Sequence, residues 1–128
     1  ASEVGPAAGT YVKMQQAYFS ESNTMGGWTL IGYTAPGVAS GDNFETTSFT
    51  YSGAITKNTA VIAATDKAWM AKNRVKLNDC AIPTGDGPWT VKVELVLDNE
   101  APKDVKFTSA VAGDGCKALT PTFDKIGQ

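Results

Sequence analysis

The sequence contains no histidine among its 128 residues. Without an imidazole, Ser-His-Asp and Cys-His catalysis, histidine metal sites and the usual general base near neutral pH are all excluded. The carboxylates lie mostly in turns rich in glycine and asparagine, where a solvated aspartate is commoner than the facing acid pair that glycosidases use. We therefore expect no catalytic residues and no cofactor.

Charge and long apolar runs are also scarce. The net charge is −2, and only 19% of the residues are charged. Such a surface does not neutralise phosphates along a basic face, so no nucleic-acid partner is expected. The longest apolar runs are a few residues, far short of the ~20 that a membrane-spanning helix needs. A hydrophobic content of 42% is nonetheless enough for a core, which predicts a single domain over residues 1–128.

The sequence has only two cysteines, Cys80 and Cys116. Two thiolates cannot fill a four-thiolate zinc site, and no histidine is present to complete a mixed one. Each cysteine lies in a polar, turn-rich stretch, which favours a disulfide and an oxidising compartment. A pair of buried free thiols remains the alternative.

Residues 4–20 carry the clearest helical pattern. At 100° per residue, most apolar side chains fall within one arc of about 160°, interrupted only by Gln15. Ser2 is placed to cap the helix, and Glu3 complements its dipole. We expect the apolar face to pack on a sheet, with Lys13 and Gln16 facing water. The residues assigned to that face are Val4, Ala8, Tyr11, Met14, Tyr18 and Phe19.

After Asn23 the sequence changes to glycine, threonine and residues that favour strands. Alternating or β-branched patterns predict extended segments, with residues 98–102 as a hairpin loop between the last two. The segment 68–78 is also compatible with a short helix, although a strand is favoured. The predicted strands are 44–51, 60–65, 68–78, 91–97 and 105–111. One helix laid across an antiparallel sheet of roughly four strands is an α+β fold.

Five segments carry motifs that are informative together. They are the end of the first helix (Tyr11–Tyr18), the loop Gly27–Tyr33, the turn Leu77–Cys80, the strand start Trp89–Val91, and Leu119–Phe123, which follows Cys116. In outline these segments resemble the end of the long helix, the loop after it and the C-terminal region of bacterial type IV pilins. In that family a cysteine pair at the matching positions bounds a C-terminal D-region.

The resemblance implies a division of the chain into four parts. Residues 1–22 would be the C-terminal half of a truncated pilin helix, 23–58 the αβ-loop and first strand, and 59–112 the sheet. Residues 80–116 would form the D-region, closed by a disulfide. Type IV pilins begin with a short basic leader, which is followed by roughly 25 apolar residues. Neither occurs in this sequence, so the resemblance implies the soluble head domain of a pilin.

The resemblance also implies a function. A type IV pilin is a structural subunit of an extracellular filament for adhesion or motility, staged at the inner membrane. Its partners would be other copies of itself in a helical filament, and the inner membrane through the missing N-terminal helix.

Two alternatives remain open at this stage. Type II secretion pseudopilins share the fold, and some bind calcium. Here Asp86 and Asp114 each lie between two glycines, which is typical of ordinary turns rather than of a spaced calcium loop. A carbohydrate-binding or adhesive module would stack sugars on exposed aromatic rings, and Trp28 and Tyr33 in the loop are the expected surface residues for a polysaccharide partner.

Overall fold

The protein folds as one long helix packed on antiparallel strands, which confirms the α+β prediction. The computed structural model describes residues 3–127, so the predicted cap Ser2 lies outside the described residues. The elements are α1 (Val4–Ser22), β1 (Met25–Gly26), α2 (Trp28–Ile31), β2 (Val38–Ser40), β3 (Asn43–Glu45), β4 (Phe49–Ser52), β5 (Ala60–Val61), β6 (Thr65–Asn73), β7 (Trp89–Asp98), β8 (Ala101–Val111), α3 (Asp114–Lys117) and a 3-10 turn (Phe123–Lys125).

The main sheet has the strand order β2-β3-β4-β6-β7-β8, and β1 pairs separately with β5. Within residues 3–127 this sheet therefore has six strands rather than the four expected. The predicted strand 44–51 splits into β3 and β4 because a turn intervenes, in which the Thr46 N–H donates to Phe49 O at 2.9 Å. The predicted strand 60–65 also splits, since Ala60 and Val61 pair with β1 while Thr65 begins β6. The segment 68–78 is a strand as far as Asn73.

One face of α1 is buried and the other is exposed, as an amphipathic pattern requires. Among the residues assigned to the apolar face, Met14 and Tyr18 are half-buried. The remaining four, together with further neighbours, are fully buried: Val4, Ala7, Ala8, Tyr11, Val12, Gln15 and Phe19. Lys13 and Gln16 are exposed. The helix ends at Asn23, which adopts a left-handed conformation and donates its N–H to Phe19 O at 2.8 Å.

Glu3 fastens the start of α1 to the sheet. Its side chain makes no capping hydrogen bond to the helix backbone. Its Oε1 instead accepts hydrogen bonds from the Tyr51 hydroxyl at 2.6 Å and the Thr46 hydroxyl at 2.8 Å. Burial, and then the hydrogen bond to Glu3, raise the pKa of Tyr51 well above its usual value. The Tyr51 hydroxyl therefore stays protonated and remains a donor to the helix start.

The long strands β7 and β8 form a hairpin that extends beyond the end of the neighbouring strand β6. Asn99 and Glu100 form its turn, and both have positive φ values, 51° and 68°, as a two-residue type I′ turn requires. Strand β6 pairs with β7 no farther than Val93. The end of the hairpin therefore extends as a two-stranded ribbon, whereas its beginning, at Trp89 and Val91, lies in the core.

Candidate functional site

Cys80 and Cys116 form a disulfide, with Cα atoms 4.5 Å apart, which confirms the favoured prediction. Cys80 ends a tight turn in which it exchanges two backbone hydrogen bonds with Leu77. Cys116 lies in α3. In the chain-entropy account, closing a loop with a sequence separation of 36 stabilises the fold by about 4 kcal/mol.

Two further residues fix the backbone around Cys80, and the first of them also brings the Cys116 segment against it. Gly115 precedes Cys116, and a Cβ atom there would lie 2.2 Å from Asp79 O, so only glycine permits this approach. Asn73, which is fully buried, donates its Nδ2 to Val75 O and Ala81 O at 3.0 Å and to Cys80 O at 3.4 Å. Sequence reasoning missed Asn73, because an asparagine at the end of a strand resembles any turn signal.

The residues after the disulfide, 117–127, are attached to the sheet at three more points. The Trp89 Nε1–H donates to Thr120 Oγ1 at 2.7 Å, and the Ser109 hydroxyl donates to Ile126 O at 2.8 Å. Phe123 is 2% exposed and packs against Trp69 with ring centroids 6.0 Å apart. The disulfide is therefore not the sole restraint on this end of the chain.

Gln15 clamps the loop after α1 to the helix. It is fully buried, and its side-chain amide is hydrogen-bonded to both backbone groups of Gly26. Oε1 accepts from the N–H at 2.8 Å, and Nε2 donates to the carbonyl at 2.9 Å. Nε2 also donates to the Tyr11 hydroxyl at 2.9 Å. The residue that interrupts the apolar arc in sequence is thus a satisfied polar group in the core, as buried amides generally are.

Trp28 and Tyr33 are buried, so the prediction that they form an exposed adhesive surface was wrong. They are 5% and 3% exposed. Their rings meet edge to face with centroids 5.0 Å apart, and Tyr11 meets Tyr33 in the same way at 5.5 Å. The polar groups of both side chains are hydrogen-bonded to backbone carbonyls. The Trp28 Nε1–H donates to Ala68 O, and the Tyr33 hydroxyl donates to Ala7 O.

The close fit around Trp28 explains the error. A Cβ atom on Gly53 would lie 2.6 Å from the Trp28 Nε1, so a glycine 25 positions later in the sequence admits the indole. Burial also raises the pKa of Tyr33 to about 12, although the indole N–H that Trp69 donates to its hydroxyl works against the shift. Contacts this distant leave no local signal in the sequence.

The surface of the loop offers a small cleft rather than a flat aromatic platform. A cavity of about 250 Å³ lies beside Trp28 and Phe44. Lys57 and Asp42 form an exposed ion pair at its edge, with Nζ and Oδ1 3.3 Å apart. Every tryptophan, tyrosine and phenylalanine within residues 3–127 is buried or half-buried. The exposed aromatic row that a sugar-stacking module needs is absent from that part of the chain.

The two Gly-Asp-Gly turns have separate surroundings. Asp86 accepts a hydrogen bond from the Lys67 ammonium, which raises the pKa of Lys67. Asp114 occupies the first turn of α3. Across residues 3–127, no group of three or more histidine, cysteine, aspartate or glutamate side chains is arranged to hold a metal ion.

No helix within residues 3–127 is both long and apolar enough to span a membrane. No protein-family model, curated protein or solved structure matches this chain. A function can therefore be proposed only from the sequence motifs, the fold and the contacts within the structure.

Proposed function

We propose that this chain is the head domain of a type IV pilin, a structural subunit that packs with copies of itself in an extracellular filament. One observation carries the proposal: a helix lies along an antiparallel sheet, and Cys80–Cys116 ties the C-terminal segment to the loop between β6 and β7. The motif Tyr11–Tyr18 lies in α1, and Leu77–Cys80 forms the turn that ends at the disulfide, which supports the proposal. The proposal assigns no catalytic residue and no cofactor.

The physical character of the domain supports such a role. A filament subunit has to keep its shape while neighbours pull on it, and this domain is cross-connected at several depths. Glu3 joins the start of α1 to the sheet, and Gln15 joins the middle of α1 to the following loop. The disulfide joins the Leu77–Cys80 turn to α3. A domain restrained in this way presents one surface to its neighbours.

In this proposal the inner membrane is a partner through an apolar helix that precedes the head, and the filament forms after staging there. The coding sequence upstream of Ala1 tests this directly. We expect it to encode a short basic leader and roughly 25 apolar residues, enough to span a bilayer. An upstream sequence without them would contradict the proposal.

A second test uses function. The chain with its own upstream segment is introduced into a strain that lacks its filament, and cell-surface fibres are scored by electron microscopy with an antibody against the head. Labelled fibres are expected. The matched control replaces Lys13, an exposed residue of α1, by alanine and should assemble normally. Rescue of protein secretion without surface fibres would instead assign the chain to a type II secretion pseudopilus.

A further inference from the structure

A cleft of about 350 Å³ lies on the face of the main sheet that is opposite the core. Its floor consists of Thr50 and Ser52 of β4 and of Met70 and Lys72 of β6. Along both strands these residues alternate with fully buried ones, so their side chains point away from the core. All four are nonetheless half-buried, since the loop between β6 and β7 lies over them. We call this cavity the outer cleft.

The loop between β6 and β7, residues 74–88, is fastened on both sides of the outer cleft. At its near end, the Asn73 side chain donates to Ala81 O at 3.0 Å. At its far end, the Gly87 N–H donates to Met70 Sδ at 3.2 Å. A Cβ atom on Gly87 would lie 2.2 Å from a backbone oxygen of β6, so only glycine permits this approach. The segment between the two attachments is therefore restrained, and a restrained cleft binds a ligand at a smaller cost in ordering.

Four polar side chains that line the outer cleft have no hydrogen-bond or ionic partner within residues 3–127. They are Asn43, Thr50, Ser52 and Lys72. The strand register brings them together, because Thr50 lies directly opposite Lys72 in the β4–β6 pair. Asn43 is the first residue of β3, the strand that pairs with the other edge of β4. Two hydroxyls, one carboxamide and one ammonium group thus converge on one cavity and are free to bind a ligand.

The charge of the outer cleft is positive and is carried by Lys72. Arg74, the second cation in the lining, is paired with Glu45, with Nε and Oε2 3.6 Å apart. Asp86, in the covering loop, is engaged by the Lys67 ammonium. No carboxylate lines the cleft itself, and Lys72 makes no ion pair within residues 3–127. An anion that enters the cleft therefore meets one ammonium group whose charge is not compensated by the protein.

We propose that the outer cleft binds a sugar acid, a small ring that carries one carboxylate and several hydroxyls. Lys72 pairs with the carboxylate, and the hydroxyls of Thr50 and Ser52 bind those of the ring. Ile82, which lines the cleft and is 54% exposed, covers the C–H surface of the ring. The volume lies near the lower end of the range for small-ligand pockets, which suits a single ring.

The donor set distinguishes this ligand from phosphate and from a neutral sugar. Phosphate sites in proteins are typically built from backbone N–H groups at a helix N-terminus or from a bidentate arginine. Here the single free cation stands among neutral hydroxyl and amide groups, which matches one negative charge and neighbouring hydroxyls. The inference goes beyond the proposed function and does not depend on assembly into a filament, because every residue of the outer cleft belongs to one copy.

Titration of the isolated chain tests the ligand class. Glucuronate is added while backbone amide resonances are followed by NMR, and glucose and acetate are titrated in parallel. Glucose has the ring without the charge, and acetate has the charge without the ring. We expect saturable shifts at Thr50, Ser52 and Lys72 with glucuronate, and binding about tenfold weaker or worse with either comparison ligand. No saturable shift with glucuronate, or equal binding of acetate or glucose, would overturn the inference.

A pair of lysine variants tests the assigned charge. Lys72→Gln keeps a long polar side chain and removes the ammonium group, so glucuronate should bind about tenfold more weakly. The matched control is Lys92→Gln, because Lys92 is also half-buried but lies near Asp66 and Glu94 instead of in the cleft. The control should bind glucuronate like the parent protein. An equal loss in both variants would assign the effect to the net charge of the protein and overturn the inference.

A further variant tests the hydroxyl contacts. Thr50→Val keeps the shape of the side chain and removes its hydroxyl, so glucuronate binding should weaken several-fold while the weak binding of acetate stays unchanged. Unchanged glucuronate binding in Thr50→Val and in Ser52→Ala alike would overturn the assignment of a hydroxylated ligand. Thermal melting of each variant verifies that the fold is retained. The proposed function fails on a separate observation, an upstream coding sequence without the leader and apolar helix.

Discussion

The loop after α1, residues 23–37, and the C-terminal segment, residues 112–127, are both largely irregular, yet they are held to the fold by different means. The loop contributes two large aromatic side chains, Trp28 and Tyr33, to the core and is clamped by the buried Gln15. The C-terminal segment contributes one such side chain, Phe123, and is closed by a disulfide. A segment with little apolar area to bury gains more from a covalent restraint on the unfolded chain.

The strongest test of this difference removes the disulfide. Replacing Cys80 and Cys116 together by serine should lower the free energy of unfolding by about 4 kcal/mol, measured by urea denaturation. Hydrogen exchange should then accelerate in residues 112–127 while the loop at residues 23–37 keeps its protection. Equal acceleration in both regions would show that the two are not independently held.

The converse test removes an aromatic contact under the loop. Tyr11→Ala should destabilise the protein by roughly 3 kcal/mol, since it leaves a cavity beside Tyr33 and frees the Gln15 amide from one acceptor. Lys13→Ala, on the exposed face of the same helix, should change stability by less than about 0.5 kcal/mol. Comparable effects at both positions would mean that the buried face of α1 does not hold the loop.

A smaller change tests the polar clamp by itself. Gln15→Ala leaves the N–H and carbonyl of Gly26 buried without their side-chain partner, and should cost about 2 kcal/mol. Gln16→Ala, one residue later and exposed, provides the matched control and should be close to neutral. Exchange of the Gly26 amide should quicken in the first variant only. If both variants were neutral, the clamp would contribute nothing to the stability of the loop.

The last prediction concerns the stability of the fold at high pH, and it expects no pH-dependent change near neutral pH. Burial raises the pKa of Tyr33 from 10.0 to about 12, so the unfolded chain loses this proton at lower pH than the folded protein does. Its contribution to stability is fully present below pH 10 and is lost as the pH rises toward about 12. Burial shifts the pKa of Tyr11 in the same direction.

Urea midpoints measured between pH 9 and pH 12 should therefore fall with rising pH. Tyr33→Phe, which cannot ionise at this position, should show a shallower fall, although it starts from a lower stability because two hydrogen bonds are lost. An identical slope in the variant would assign the alkaline loss to other groups.

Features that depend on neighbours in sequence were predictable. The 3.6-residue period located α1 and its apolar face, and alternation located β7 and β8, because these patterns repeat within one element. The polar interruption between two alternating runs predicted a hairpin with a loop over residues 98–102, and the structure narrows that loop to Asn99–Glu100, since Asp98 pairs with Ala101. The disulfide was favoured because both cysteines lie in turns, although geometry alone places Cys80 opposite Cys116.

Features that depend on distant residues were not predictable. The additional strand β2 exists because its backbone pairs with β3, and its three-residue length carries little pattern. Asn73 and Gln15 became structural clamps only when the carbonyls around them were assembled. A polar side chain shows its partners only in the folded protein.

The sequence by itself determined which faces of the helix and of the longest strands are apolar, and which chemistries the absence of histidine excludes. The tertiary structure decided the rest. It buried Trp28 and Tyr33, because Gly53 and Ala68 supply the space and the acceptor for the indole. It also left Leu97 uncovered, because β6 ends its pairing at Val93. Exposure belongs to the packed arrangement of elements rather than to any one of them, so the surface available to partners emerges only with the fold.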